Sequence, residues 1–141
     1  MQDLDKLTGY DWMRAFECCG VETDEQRKHW DCDDYEYSVR YNEPHVNVVL
    51  GSIAVESEPF TRDDILDLIA CEAGENDGPE WVAVMRLKDG RYAFLEAGCD
   101  YTGWDCQSGG NAFVADTLER LVQYGMSEGA RARLAAQLEA A

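Results

Sequence analysis

The chain is predicted to adopt an α+β fold: a small, mostly antiparallel sheet of two hairpins with helices packed on one face. Three observations carry that expectation. Two apolar runs flank Asp89-Gly90, a dipeptide that suits a tight hairpin turn. Tyr35, Tyr37, Val39 and Tyr41 alternate with Glu36, Ser38 and Arg40, the period of a strand with one buried face. Several other segments space their apolar residues as helices do. At 141 residues and 45% hydrophobic composition, residues 1–141 fit one domain able to bury a core.

Taken in order, the first helix is DWMRAFECCG, with Asp11 as its cap, Gly20 at its end, and Trp12, Ala15, Phe16 and Cys19 on one face. VETDEQRKHWDCDD is polar and aperiodic, a loop or a short helix. YEYSVRY forms a strand, NEPH turns, and VNVVLGSIAV returns as a second strand in which Gly51 marks a bulge. FTRDDILDLIACEAG is predicted as a helix. Thr61 and Asp64 resemble a capping box, Ile65, Leu68 and Ile69 share a face, and Gly74 closes it. WVAVMRL, KDG and RYAFLEA make the second hairpin, and AGCDYTGWDCQSGG is then a connecting loop. AFVADTLERLVQYG is an amphipathic helix with Phe113, Ala115, Leu118, Leu121 and Val122 inward, and Ser127 caps a last helix, EGARARLAAQLEA.

Charge is the strongest compositional signal. Against 12 Lys plus Arg stand 29 Asp plus Glu, a formal net of −17. Such a surface repels nucleic acid and anionic membranes, so neither is expected as a direct partner. It attracts basic surfaces, and the commonest large ones belong to nucleic-acid-binding proteins. The same charge also serves simple solubility. Nine acidic residues lie between Glu56 and Glu80, against Arg62 alone. The opening MQDLDKLTGYDW is acidic and lacks an apolar secretory core, and no stretch is apolar enough to span a bilayer. A cytoplasmic location is expected, with the six cysteines as thiols or metal ligands rather than a disulfide framework.

One segment concentrates side-chain chemistry. Between Ala97 and Gly110 lie Cys99, Asp100, Tyr101, Trp104, Asp105 and Cys106, with Gly98, Gly103, Gly109 and Gly110 letting the backbone turn or be approached closely. Tyr101 and Trp104 suit interface anchoring, whereas Asp100 and Asp105 suit either recognition or hydrogen bonds that hold a self-packed loop. ENDGPEWVAVMRLKDGRYAFLEAGCDYTGWDCQSGG resembles a segment of small, uncharacterised acidic proteins of phages and prophages, and GCDYTGWDCQ is the specific part of that likeness. The similarity covers Phe60 to Leu134, with YDWMRAF resembling it less specifically. The resemblance implies a compact cytoplasmic protein of a mobile element in its host cell, and it transfers no catalytic residue.

Other chemistries have weaker footing. Zinc needs about four Cys or His ligands in tetrahedral array. Cys18, Cys19, His29 and Cys32 make the nearest set, and Cys99, Cys106 and Cys71 a second, but free cysteine is also a habitual core residue. Cys106 near a helix start, with His29 or His45 as base, is the form a thiol enzyme would take. DCDDYE lacks the calcium-loop pattern, and there is no P-loop, G-x-G-x-x-G or H-E-x-x-H.

The expected function is therefore a small, non-catalytic, acidic protein-binding module, an inhibitor of a basic, nucleic-acid-binding host defence protein of the anti-CRISPR kind, acting by charge mimicry. Asp100, Tyr101, Trp104 and Asp105 would anchor the partner, and Asp63, Asp64 and Asp67, facing solvent from the Thr61 helix, would attract it. No cofactor, metal or catalytic residue is expected. A zinc- or thiol-containing domain organised by the Cys99/Cys106 loop is the alternative.

Overall fold

In the computed structural model, which describes residues 2–21, 47–50, 53–56, 60–100 and 103–141, an antiparallel sheet forms the middle layer. Its strands among the described residues are β1 (Asn47–Leu50), β2 (Ile53–Glu56), β3 (Ile65–Glu72), β4 (Trp81–Leu87), β5 (Tyr92–Asp100) and β6 (Gly103–Ala115). Their spatial order is β1-β2-β6-β5-β4-β3. The last four strands make a meander, and the β1–β2 hairpin joins it beside β6. Helix α1 (Tyr10–Cys18) precedes the sheet. After it come α2, α-helical over Leu118–Arg120 and widening to a π-helical turn over Leu121–Gly125, and α3 (Glu128–Ala140). The α+β class follows as the sequence predicts.

The central strands are buried on both faces. Trp81, Ala83, Met85 and Leu87 of β4 and Leu95 and Ala97 of β5 point to the side covered by Trp12, Ala15, Phe16 and Cys19. Val82 and Val84 of β4 and Phe94 of β5 point to the side covered by Leu121, Met126, Ala130 and Leu134. Period-2 alternation delivers apolar side chains to each layer in turn, which is why WVAVM, Trp81 to Met85, reads as one continuous apolar run. Helices therefore cover both faces of the sheet, where one covered face was predicted.

Several elements match their sequence signals. Lys88, Asp89 and Gly90 turn β4 into β5, with the Leu87 N–H donating to Arg91 O at 2.8 Å. Ser127 caps α3, its hydroxyl accepting the Ala130 N–H at 3.2 Å. Helix α1 forms on the predicted stretch but its cap is Gly9; Asp11 sits in the first turn, where its carboxylate has another use described below.

Four expectations are corrected. The Thr61 helix is a single 3-10 turn, Arg62–Asp64, followed by strand β3. The Asp64 carboxylate does accept the Thr61 N–H at 2.9 Å, but this arm of a capping box starts only a turn. Two register irregularities, between Ile65 and Asp67 and between Leu68 and Ala70, put Ile65 and Leu68 on one face and so imitate helical spacing. VNVVLGSIAV is two strands that pair with each other, Leu50 opposite Ile53, instead of one bulged strand. AGCDYTGWDCQSGG belongs to β5 and β6 instead of a connecting loop. Phe113 and Ala115 lie in β6, so the following helix begins at Leu118, capped by Thr117. The predicted strand Tyr35–Tyr41, the polar segment VETDEQRKHWDCDD from Glu22 onward, including His29 and Cys32, and His45 lie outside the described residues. Among the described residues no helix is long and apolar enough to cross a membrane.

Gly110 sets how closely α1 approaches the sheet. A methyl group there would meet Cys19 Sγ at 2.6 Å, Ala97 Cβ at 2.8 Å and Glu96 O at 2.8 Å, whereas at Gly109 it would meet nothing within 4 Å. Gly110→Ala is expected to destabilise the protein by ~1–3 kcal/mol through overpacking, and Gly109→Ala by less than ~0.5 kcal/mol. Urea unfolding of both variants checks this, and equal midpoints would refute it.

Candidate functional site

The β5–β6 hairpin, which holds the chemistry-rich segment, builds the site. Its ladder runs residue for residue from Tyr92 opposite Ala115 to Cys99 opposite Ser108, then jumps to Asp100 opposite Gly103. Trp104 to Gln107 therefore stand outside the register as an excursion of β6. Ser108 Oγ closes its neck by donating to Trp104 O at 2.8 Å. The Trp104 ring turns inward onto Trp81, with ring centroids 4.9 Å apart and planes at 50°. Its Nε1–H donates to Asp11 Oδ1 at 3.0 Å. Trp104 is thus only 6% exposed. An indole that finds both an aromatic face and an acceptor inside the fold is stable there, so in this structure it is a core residue and not a surface anchor.

On the opposite face of the hairpin lies a cleft of about 450 Å³, lined by residues that include Glu80, Glu96, Gly98, Asp100, Gln107 and Asn111. Gly98 and Gly109 oppose each other across the ladder, so no side chain rises from the floor at that pair. The Glu80 stem uses the space: a methyl group on Gly98 would come within 2.9 Å of Glu80 Cγ. Glu96 continues the row Tyr92, Phe94 that packs beneath α2 and α3, and its Oε2 accepts the Ser127 hydroxyl at 2.9 Å. The N-terminus of α3 thus borders one carboxylate of the cleft, an arrangement the helix dipole favours.

The residues that line the cleft carry negative charge only, with Arg133 close by. The Glu80 carboxyl titrates above the ordinary glutamate value. Partial burial is the largest cause, the Glu96 carboxylate adds to it, Arg133 opposes it and Asp100 adds again. Arg133 is committed elsewhere, donating to Glu72 Oε1 at 2.8 Å and to the main-chain oxygen of Glu80 at 2.8 Å. Chemically the cleft offers carboxylates over an open backbone floor, which is an environment for a cation.

Among the described residues the sequence-predicted site residues are not brought together. Asp100 lines the cleft, at the exposed end of β5. Tyr101 and the side chains of Asp105 and Cys106 lie outside the described residues. Asp63, Asp64 and Asp67 lie at the other end of β3, since Ile65 pairs with Leu87 and Glu72 with Val82 near the start of β4. Asp67 does not simply face solvent: it is paired with Arg86, Oδ2 to Nη2 at 2.8 Å. Glu72 with Arg133 and Asp89 with Arg91 are further local pairs. The acidity is accordingly interrupted in places by arginines rather than laid out as one uniform face.

Glu80, Glu96 and Asn111 were missed. A signal existed for Glu96, a carboxylate in a strand position where Tyr92 and Phe94 lead the eye to expect another apolar residue. None existed for Glu80, which reaches the cleft only because Gly98 makes room.

The cysteines are placed as follows. Cys19 is buried beneath α1, with its thiol 3.5 Å from Asn111 O. Cys99 is buried, donating to Asn76 Oδ1 at 3.5 Å, and Cys18 is half-buried, 3.4 Å from Ser108 Oγ. Burial, the largest cause in each case, raises the thiols of Cys18, Cys19, Cys71 and Cys99 above their usual value, which disfavours the nucleophilic thiolate. Among the described residues no group of three or more His, Cys, Asp and Glu is placed to hold a metal ion.

No protein-family model matches the chain, and no curated protein or solved structure matches it.

Because Glu80 binds its proton more tightly in the folded chain than in the unfolded one, its ionisation works against folding. Stability should fall as pH rises from the ordinary glutamate value through the raised folded value. Glu80→Gln is expected to raise the melting temperature at neutral pH and to flatten that part of the profile. Thermal melts across the carboxylate range read this, and an unchanged or lowered neutral-pH melting temperature would refute it.

Proposed function

We propose that the protein is a non-catalytic, acidic protein-binding module, and that the cleft between Glu80, Glu96 and Asp100 receives a lysine or arginine side chain of a basic partner. One observation carries the reading: three carboxylates line one glycine-floored cleft, and Glu96 and Asp100 add to the burial that raises the protonation of Glu80. A basic side chain entering there would relieve their mutual repulsion, and the floor at Gly109, where a methyl group would meet nothing within 4 Å, leaves space for its aliphatic stem. The net charge of −17 would speed the encounter with a positively charged surface and make it sensitive to salt.

Proteins that bind nucleic acid carry such lysine- and arginine-lined surfaces. A partner of that class, blocked by charge mimicry, fits the reading, as does an inhibitory role for a mobile element. Asp63 and Asp64 would contribute to long-range attraction, while the cleft supplies the specific contact. Trp104 would act from within the fold, holding the β6 excursion that forms one wall.

A short arginine-rich peptide tests the site by calorimetric titration at low salt. Glu80→Gln and Glu96→Gln are each expected to weaken binding by roughly 3- to 5-fold, the effect of losing about one ion pair. Asp63→Asn, at the far end of β3, should change it by less than about 2-fold, and added salt should weaken all three variants. Equal losses in all three would leave only diffuse attraction and reject the cleft.

A further inference from the structure

Strand β3 is an edge of the sheet, and its outer side is closed by one main-chain bridge and by side chains where another strand would bind. The Gln2 N–H donates to Leu68 O at 2.8 Å, and Gln2 Nε2 donates to Ile69 O at 3.0 Å. The Gln137 amide does for Cys71 what a residue of a neighbouring strand would do. Its Oε1 accepts the Cys71 N–H at 3.0 Å, and its Nε2 donates to Cys71 O at 2.8 Å. The two glutamines are joined to each other, Gln2 Nε2 to Gln137 Oε1 at 2.6 Å. Arg133 continues the cover, with Nη2 3.4 Å from Ala73 O. A primary amide carries the donor and acceptor of a peptide group, so this clasp satisfies the edge without adding a strand.

We propose that the Gln2–Gln137 clasp guards the β3 edge, and that opening it lets β3 pair antiparallel with β3 of a second copy of this chain. A bare edge presents a row of unpaired N–H and C=O groups, which is a pairing template. Self-pairing about a two-fold axis needs no other surface, because each copy offers the same strand. Leu66, 46% exposed at the start of β3, would gain cover in such a pair. Opposing it is the net charge of −17 on each copy, Asp67 and Glu72 being paired with Arg86 and Arg133, so the dimer is promoted by salt. That dependence is opposite in sign to the one expected for a basic partner at the cleft.

Gln137→Met removes both hydrogen bonds to Cys71 at nearly constant side-chain length. Gln2→Met combined with it removes the Gln2 side-chain bonds and leaves its main-chain bridge. Amide hydrogen exchange over residues 68–73 and sedimentation at low and high salt are measured on both variants and on the unaltered chain, with circular dichroism to confirm folding. In the double variant the Cys71 amide should exchange ~10-fold faster or more at low concentration. With rising concentration and salt, a species of twice the 15.9 kDa chain mass should form and protect residues 68–73 again. The single variant, which keeps the Gln2 bonds to Leu68 and Ile69, should show the same change to a smaller extent and serves if the double variant does not fold. Unchanged exchange in the folded variants would overturn the clasp, and faster exchange without a dimer at any salt would overturn the guard.

Discussion

The contact of Cys19 with the bare backbone at Gly110 governs where the rest of the chain can sit. It lets the end of α1 lie close against β5 and β6, which brings Phe16 and Ala15 into full burial and places Asp11 within reach of the Trp104 indole. Each large apolar side chain buried this way contributes about 1.5–3 kcal/mol. Lifting the helix by the width of a methyl group would loosen this packing. The missing side chains of the glycine pair nearby act in the opposite sense on the other face. There α3 begins after its cap Ser127, and the floor at Gly98 and Gly109 is left for Glu80 and Glu96 to border. One glycine-rich hairpin thus closes a core on one side and keeps a cleft on the other.

The charge of the protein has a local grammar. Arginines answer particular carboxylates at Asp67, Glu72 and Asp89, where side chains lie near strands or turns. At the cleft the compensation is of a different kind: a hydroxyl and a helix N-terminus steady Glu96, and a raised protonation equilibrium eases Glu80. Exposed ion pairs add little to stability, so the arginines matter more for shaping where negative charge remains than for holding the fold. A concave group of carboxylates differs from a diffuse acidic surface in one respect. It favours a cation of a given shape at a given place, whereas diffuse charge only raises the rate of encounter.

The legible parts of the sequence were those set by local chemistry. Asp89-Gly90 announced its hairpin, and Ser127 its helix. The first helix was visible from the spacing of Trp12, Ala15, Phe16 and Cys19, although its cap was misplaced by two residues: Gly9 holds the cap position without a side-chain bond, and Asp11 lies in the first turn. What stayed hidden depended on distant partners. Strand β3 resembled a helix because its bulges place Ile65 and Leu68 three positions apart on one face, and only pairing with β4 creates those bulges. The glycines of the β5–β6 hairpin resembled a loop because their purpose, close approach, involves Cys19 and Glu80 far along the chain. The cleft was half legible for the same reason: Asp100 could be picked out, while Glu80 and Glu96 join it only in three dimensions.

Backbone amide shifts of the isotope-labelled protein, followed while a lysine- and arginine-rich peptide is added at low salt, bear most directly on the idea that a glycine-floored acidic cleft is the binding site. The account expects the largest changes at Gly98, Gly109 and Asn111, saturating together and reversing with salt. Changes spread evenly over the acidic surface, or centred on Asp63 and Asp64 with the cleft amides unmoved, would contradict it.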